Sequence, residues 1–214
     1  MLFRKSPEKF WNLMASKYAA SPINDREAYE RKIQAIKSYL SADNNVLDIG
    51  CATGTQCIDI AGDVNRVTGI DISNKLLSIA EQRRVERNIV NVKFIETTVF
   101  DKRFQPQSFD VVMAFYVLHF IEDIDEIFER IHELLKPGAW FIFETACIGE
   151  KNKIMGKIIR LAGYIGILPL INLLTYDKLE SALDKAGFIL VDKTKFGNGR
   201  DAEFTLIVRK KPEA

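Results

Sequence analysis

Histidine occurs twice and cysteine three times in this chain of 214 residues, and neither recurs at a spacing that would hold a metal ion. An odd set of thiols (Cys51, Cys57 and Cys147) excludes a complete disulfide framework and points to a reducing, cytoplasmic setting. The opening Met1-Leu2-Phe3-Arg4-Lys5 is too short and unsuitable for a secretory signal. Excess charge of one sign is also missing. With 30 Lys and Arg against 29 Asp and Glu, no global field draws the chain to nucleic acid or to an anionic membrane, although local patches stay open. Nor is there a long uninterrupted apolar run. The most apolar stretch, residues 154–174, carries Lys157 and Arg160 and is broken by Gly163, Gly166 and Pro169, so no bilayer-spanning helix is expected.

What is present reads as one domain of ordinary globular composition, 47% hydrophobic and 28% charged, without repeats or low-complexity tracts. Two helices are expected first. One runs from about Pro7 to Tyr18 with Ser6 as N-cap, and places Trp11, Met14 and Tyr18 on one face. The other runs from about Arg26 to Leu40 behind Asp25, with Tyr29, Ile33, Ile36 and Leu40 at helical spacing and a hinge at residues 21–24. From Val46 onward strands alternate with helices, which favours a parallel sheet with right-handed crossovers. The expected strands are 46–49, 66–71, 92–96, 109–115 and 139–145, with Pro137-Gly138 stopping the preceding helix. A helix over 176–186 is followed by strands 188–196 and 204–210 around a Gly/Asn-rich loop, hence an antiparallel hairpin.

The segment Val46-Leu47-Asp48-Ile49-Gly50-Cys51-Ala52-Thr53-Gly54 carries most of the functional information. A buried strand runs into a turn whose glycines let the backbone close around a ligand. A dinucleotide loop would need glycine at 50, 52 and 55, where this chain has Gly50, Ala52 and Thr55. Asp48 would oppose a pyrophosphate and favour a ligand bearing an ammonium or a sulfonium. A second strand, Val67-Thr68-Gly69-Ile70-Asp71, ends in a carboxylate at the interval where nucleotide folds grip ribose hydroxyls.

These motifs, with Ser108-Phe109-Asp110-Val111-Val112-Met113-Ala114-Phe115 and Leu134-Leu135-Lys136-Pro137-Gly138 further on, resemble the class I S-adenosylmethionine (SAM) dependent methyltransferases. The likeness covers most of Trp11 to Thr145 and the final hairpin, and is closest in flavour to the small-molecule branch that includes ubiquinone and menaquinone methyltransferases. It implies an α/β, Rossmann-like three-layer sandwich whose seven-stranded, mostly parallel sheet is closed by a C-terminal antiparallel hairpin. It further implies SAM as cofactor, S-adenosylhomocysteine (SAH) as product, and a small acceptor. Residues 1–45 would form a helical lid, and residues 146–175 an apolar cap suited to an apolar or aromatic molecule; a helical pair over a sheet edge and a peripheral membrane contact are the other readings of that segment.

By the same resemblance, Gly50, Cys51, Ala52 and Gly54 shape the cofactor loop, Asp48 serves the methionine amino group directly or through water, and Asp71 with Ile72 holds the ribose. Phe115 lies at the strand edge beside it. The adenine position that relatives often fill with an acid falls on Thr98, with Asp101 three residues too late. Thr98 and the Val99 amide can read adenine, or the segment is an ordinary strand end. Tyr18 is the preferred aromatic contact, whereas Trp11 and Tyr29 are expected in the core. His119 is either a general base for the acceptor or a helix-start residue making a backbone bond, and His132 a packing residue. No metal site is expected.

Three rivals remain. A non-catalytic SAM-binding or partner-binding module would share the fold. RNA, DNA or protein methylation is disfavoured, with Ala114-Phe115-Tyr116-Val117 where a base methyltransferase would carry Asn-Pro-Pro-Tyr and with no basic stripe. An NAD-dependent oxidoreductase is disfavoured by the loop spacing and by Asp48.

Overall fold

The computed structural model describes residues 6–151, 158, 160–163, 168–198 and 203–211. Part of the expected cap, residues 152–157, 159 and 164–167, therefore lies outside the described residues, as does the tip of the final hairpin.

Two helices open the chain, α1 (Pro7–Ala20) and α2 (Arg26–Lys37). The Ser6 side chain accepts from the Lys9 amide and the Asp25 side chain from the Ala28 amide, as N-caps do. There follow β1 (Asn45–Ile49), α3 (Thr55–Asp59), β2 (Arg66–Asp71), α4 (Asn74–Glu86), β3 (Val92–Glu96), β4 (Phe109–Phe115), α5 (Ile124–Leu134) and β5 (Leu135–Glu144). A short α6 (Ile148–Lys151), α7 (Tyr176–Lys185), β6 (Phe188–Thr194) and β7 (Thr205–Lys210) complete the order. The strands form one seven-stranded sheet in the order β3-β2-β1-β4-β5-β7-β6. The first five are parallel and β7 is antiparallel to both its neighbours.

Period-two alternation gives the sheet two buried faces. Val111 and Met113 of β4 and Ile142 of β5 join Ile33 and Ile36 of α2, Cys57 of α3 and Leu77 of α4 in one core. Their neighbours Val112, Ala114, Phe141 and Phe143 face Ile127, Phe128 and Ile131 of α5 and Leu179 and Leu183 of α7 in the other. Three layers result.

Some expected boundaries need correction, and strand β6 ends at Thr194, short of the expected 196. Strand β5 begins at Leu135, before Pro137-Gly138, because the pair does not turn the chain away. Gly138 takes φ +71°, and the β4–β5 register shifts between Phe109 and Val111, so the pair sits in a bulge and the ladder resumes at Trp140. Helix α2 also stops at Lys37, short of Leu40.

Helix α1 packs on the N-terminus of α4, where Asn12 Oδ1 accepts from the Ser73 hydroxyl (2.7 Å) and the Lys75 amide (3.2 Å). Trp11 stands edge-on to Phe120 at 5.4 Å between ring centroids. Both contacts place α1 over the carboxyl ends of β1, β2 and β4, where open α/β sheets bind ligands.

Candidate active site

The loop after β1 closes because its amides find acceptors within the protein. Gly50 and Cys51 both donate to the Ile70 carbonyl (2.8 and 3.0 Å), and Gly54 donates to the Cys51 carbonyl (2.8 Å). The Ala52 amide donates to Asp71 Oδ2 at 3.0 Å. A phosphate-binding loop instead leaves such groups pointing at the anion. This loop acts through shape. Gly50 has φ +69°, and a Cβ there would lie 2.6 Å from Val117 Cγ2. Gly54, at φ +72°, is pressed against Phe94 and Ala80 rather than against either ligand cavity. Ala52 adopts φ 48°, a conformation in which a side chain costs roughly 1 kcal/mol relative to glycine.

Two cavities open at this edge and share Tyr18, Ala52 and Tyr116. The smaller, about 470 Å³, is lined by Trp11, Tyr18, Gly50, Ala52, Asp71, Ile72, Thr98, Val99, Phe115, His119 and Phe120, among others. No Lys or Arg is among its described lining residues. The larger, about 1050 Å³, is bounded by Cys51, Ala52, Tyr29, Lys32, Arg83, Tyr116, Glu144, Glu203 and Thr205, among others. Most of the expected cofactor residues thus come together. Asp48 and Gly54 line neither cavity.

Asp71 sits at the cavity wall with Oδ1 accepting from the Ser73 amide (2.9 Å) and Oδ2 from Ala52. Each oxygen keeps a lone pair for a ligand hydroxyl. Burial raises its carboxyl above the usual range, opposed by those backbone amides. Asp48 is buried beneath the loop, where the Cys57 thiol donates to its Oδ2 at 3.1 Å. Burial pushes its carboxyl up to about 7; the thiol bond opposes that rise and the charge of Asp71 adds to it. Any service to a cationic ligand therefore crosses the loop instead of being a direct contact.

Arg83, at the wall of the larger cavity, ties the loop to α1, donating to the Thr53 (2.8 Å) and Thr55 (3.3 Å) hydroxyls and to the Ala19 carbonyl (3.3 Å). Thr97, Thr98, Val99 and Phe100 line the smaller cavity, but Asp101 does not. Its carboxylate is held below the usual range by Arg103 and by the Thr97 hydroxyl. His119, in the turn Leu118–Phe120, is buried with Nδ1 3.2 Å from Thr145 Oγ1. Burial lowers its pKa to about 4, so it is neutral at physiological pH. His132 packs edge-on against Phe188.

Several lining residues escaped the sequence reading. Trp11 lines the smaller cavity instead of lying in the core, and Tyr29, which packs against the core as expected, also borders the larger cavity while its hydroxyl donates to Asp59 Oδ2 at 2.7 Å. Lys32 and Glu144, both buried, form a polar cluster with the more exposed Tyr116. Lys32 Nζ lies 2.7 Å from Glu144 Oε2, and the Tyr116 hydroxyl donates to Glu144 Oε1. Two signals were available: a lysine within the apolar stripe of α2, and residues at the carboxyl ends of β4 and β5.

A protein-family model described as a methyltransferase domain matches residues 40–187. The chain belongs to this methyltransferase-domain family. The match leaves α1 and α2 outside it. Among curated relatives of the methyltransferase domain, a ubiquinone biosynthesis O-methyltransferase of Albidiferax ferrireducens is 31% identical over 118 residues, 55% of this chain and 47% of that protein. One from Chelativorans sp. (strain BNC1) is 29% identical over 185 residues, 79% of this chain and 72% of the relative. The sterol 4-C-methyltransferase strm-1 of Caenorhabditis elegans is 29% identical over 164 residues, 74% and 48% respectively. The chain thus spans about half the length of the first and last of these. Among solved structures, the (4+2)-cyclase SpnF superimposes with a TM-score of 0.77 at 18% identity, covering 99% of this chain and 97% of its own. A SAM-dependent methyltransferase from Methanosarcina mazei does so at 0.67 and 20%, covering 84% and 98%. At such identities these two show the fold alone.

Proposed function

We propose that the chain is a single-domain SAM-dependent methyltransferase, acting by direct displacement on a small apolar or aromatic acceptor and leaving SAH. The observation that carries this is the smaller cavity. It holds the Asp71 carboxylate and an apolar slot, has no Lys or Arg among its described lining residues, and adjoins a loop whose amides are already bonded within the protein.

SAM fits these residues. Asp71 would accept from the ribose hydroxyls, Thr98 and Val99 would meet adenine, and Tyr18, Ala52, Ile72 and Phe115 would wall the remainder, with Cys51 facing the larger cavity across the loop. Asp48 would balance the cationic end from beneath the loop. When bound, SAM supplies an activated methyl group. The protein's part is then alignment, which is worth roughly 7–11 kcal/mol when the reacting atoms are well placed. Neutral His119 and the aromatic wall of Trp11, Phe115 and Phe120 keep the reacting region apolar. We read residues 1–45 as a lid and 146–175 as a cap that help exclude water. No described helix is long and apolar enough to cross a membrane. Three free, buried thiols accord with a reducing cytoplasm.

Calorimetric titration of SAM and SAH, with NADH as competitor, tests the reading. Binding of both that is lost in Asp71→Ala and Gly50→Arg supports it. Absence of SAM binding, or preference for NADH, would overturn it.

A further inference from the structure

The larger cavity has a feature that an apolar acceptor alone does not require. Lys32, on α2, and Glu144, at the end of β5, are both buried at its wall and form an ion pair at 2.7 Å. Buried pairs cost desolvation and seldom stabilise a fold relative to well-packed apolar residues, so this one calls for another role. Glu144 also accepts from the Tyr116 hydroxyl and from Thr205 Oγ1 (3.4 Å). The ammonium of Lys32 lies 5.1 Å from the ring centroid of Phe115 and 5.8 Å from those of Tyr29 and Tyr116. Tyr116 holds the left-handed φ of 55° and borders both cavities. Strain of that kind at a non-glycine residue persists where the surroundings enforce it, commonly at functional sites. Lys32 and Glu144 line the larger cavity, and Tyr116 links their cluster to the smaller one.

Resting on the methyltransferase reading above, we propose that Lys32 and Glu144 form the acceptor subsite and ionise a hydroxyl group of phenol or enol type. The acceptor O–H gives its proton to the Glu144 carboxylate, and the resulting oxyanion is held by the Lys32 ammonium. The charge count of the buried cluster is unchanged by that transfer: a carboxylate is neutralised as an oxyanion appears. The oxygen lone pair then forms the C–O bond as the S–CH3 bond breaks, its electrons going to sulfur to give SAH. Glu144 returns the proton to solvent when product leaves. The aromatic side chains of Tyr29 and Tyr116 at this cavity suit a flat conjugated ring, whose hydroxyl is also acidic enough to ionise here.

The test uses the full chain with SAH and a panel of nitrophenols, nitrocatechols and nitronaphthols, whose ionised forms absorb visible light. Below the free pKa of the probe, at least one should bind with about tenfold more phenolate than in solution, equivalent to one pKa unit. Lys32→Met should abolish that band. Glu144→Gln should make phenolate binding weaken about tenfold per pH unit below the probe's pKa, where the wild type stays flat. Both variants must bind SAH within about twofold of wild type, which separates a lost subsite from a lost fold. If SAH binds but no probe is ionised, or if Lys32→Met retains the band, the inference is overturned while the cofactor reading stands. If SAH itself fails to bind wild type, both fall together.

Discussion

Binding of a cation above the Gly50–Gly54 loop should expel a proton from the protein, and Asp48 should be its source. Burial holds this carboxyl at about 7 in the free protein, so at pH 6 it is mostly protonated. A sulfonium and an ammonium arriving across the loop favour the ionised form. At an effective dielectric of ~20 and a separation of ~5 Å, one positive charge is worth ~3 kcal/mol, or about 2 pKa units. Asp48 would then titrate near ~5 in the complex, and SAM binding at pH 6 should release ~0.8 of a proton. Equivalently, SAM affinity should rise ~25-fold between pH 5 and pH 7, toward a limit of ~100-fold over the full titration range. Calorimetry at pH 6 in two buffers of different ionisation enthalpy measures the release directly. Adenosine, which carries neither cation, should release almost none. Asp71 also has a raised pKa, so Asp48→Asn is the decisive variant: it should bind SAM with little proton release and a nearly flat pH dependence. Equal release from adenosine, or undiminished release in the variant, would refute this account of Asp48.

The same carboxyl and His119 should tilt pH-dependent stability in opposite directions. The folded pKa of Asp48 is raised from 3.8 to about 7, so its contribution is fully present below about pH 4 and lost as pH rises through about 7, a swing of up to ~4 kcal/mol. The pKa of His119 is lowered from 6.5 to about 4, so its contribution is present above the unfolded value and lost as pH falls toward 4, a swing of up to ~3 kcal/mol. Urea melts from pH 4 to 7 should therefore show a nearly flat wild type, stability rising with pH in Asp48→Asn and falling with pH in His119→Asn; parallel curves for all three would contradict both shifts. Gly50→Ala should lower SAM affinity by at least about tenfold and destabilise the fold by ~1–3 kcal/mol, since its Cβ would meet Val117 at 2.6 Å in a left-handed backbone. Ala52→Gly should change stability by at most ~1 kcal/mol, upward if relief of the φ 48° backbone outweighs the added freedom of the unfolded chain, and should leave SAM binding intact. Thermal melts and calorimetry decide both, and a Gly50→Ala protein that binds SAM normally would remove shape as the role of the loop.

The sheet was legible because its signals are local. Strands β2, β3 and β4 fall on the expected residues, each a short apolar run closed by a turn. Strand β5 was cut short because Pro137-Gly138 reads as a stop in any local window, whereas a bulge absorbs the pair once Leu135 has a partner in Phe109. The cofactor loop was legible for a similar reason, but only in part. Spacing of Gly50 and Gly54 announces a tight turn, yet the feature that separates a sulfonium site from a pyrophosphate site here is the fate of the loop amides. That depends on the Ile70 carbonyl and Asp71, which reach the loop only through β1–β2 pairing. The acceptor end was the least legible. Lys32 and Glu144 are 112 residues apart in sequence, and no periodicity links an α2 lysine to the end of β5. Their meeting is fixed by the topology: β4 lies beside β5, Phe115 pairs with Glu144, and Glu144 pairs in turn with Thr205. A lysine on the buried stripe of α2 thus becomes interpretable only when the sheet edge beneath it is known. The charged group that conflicts with local patterning is the one that topology assigns to the site.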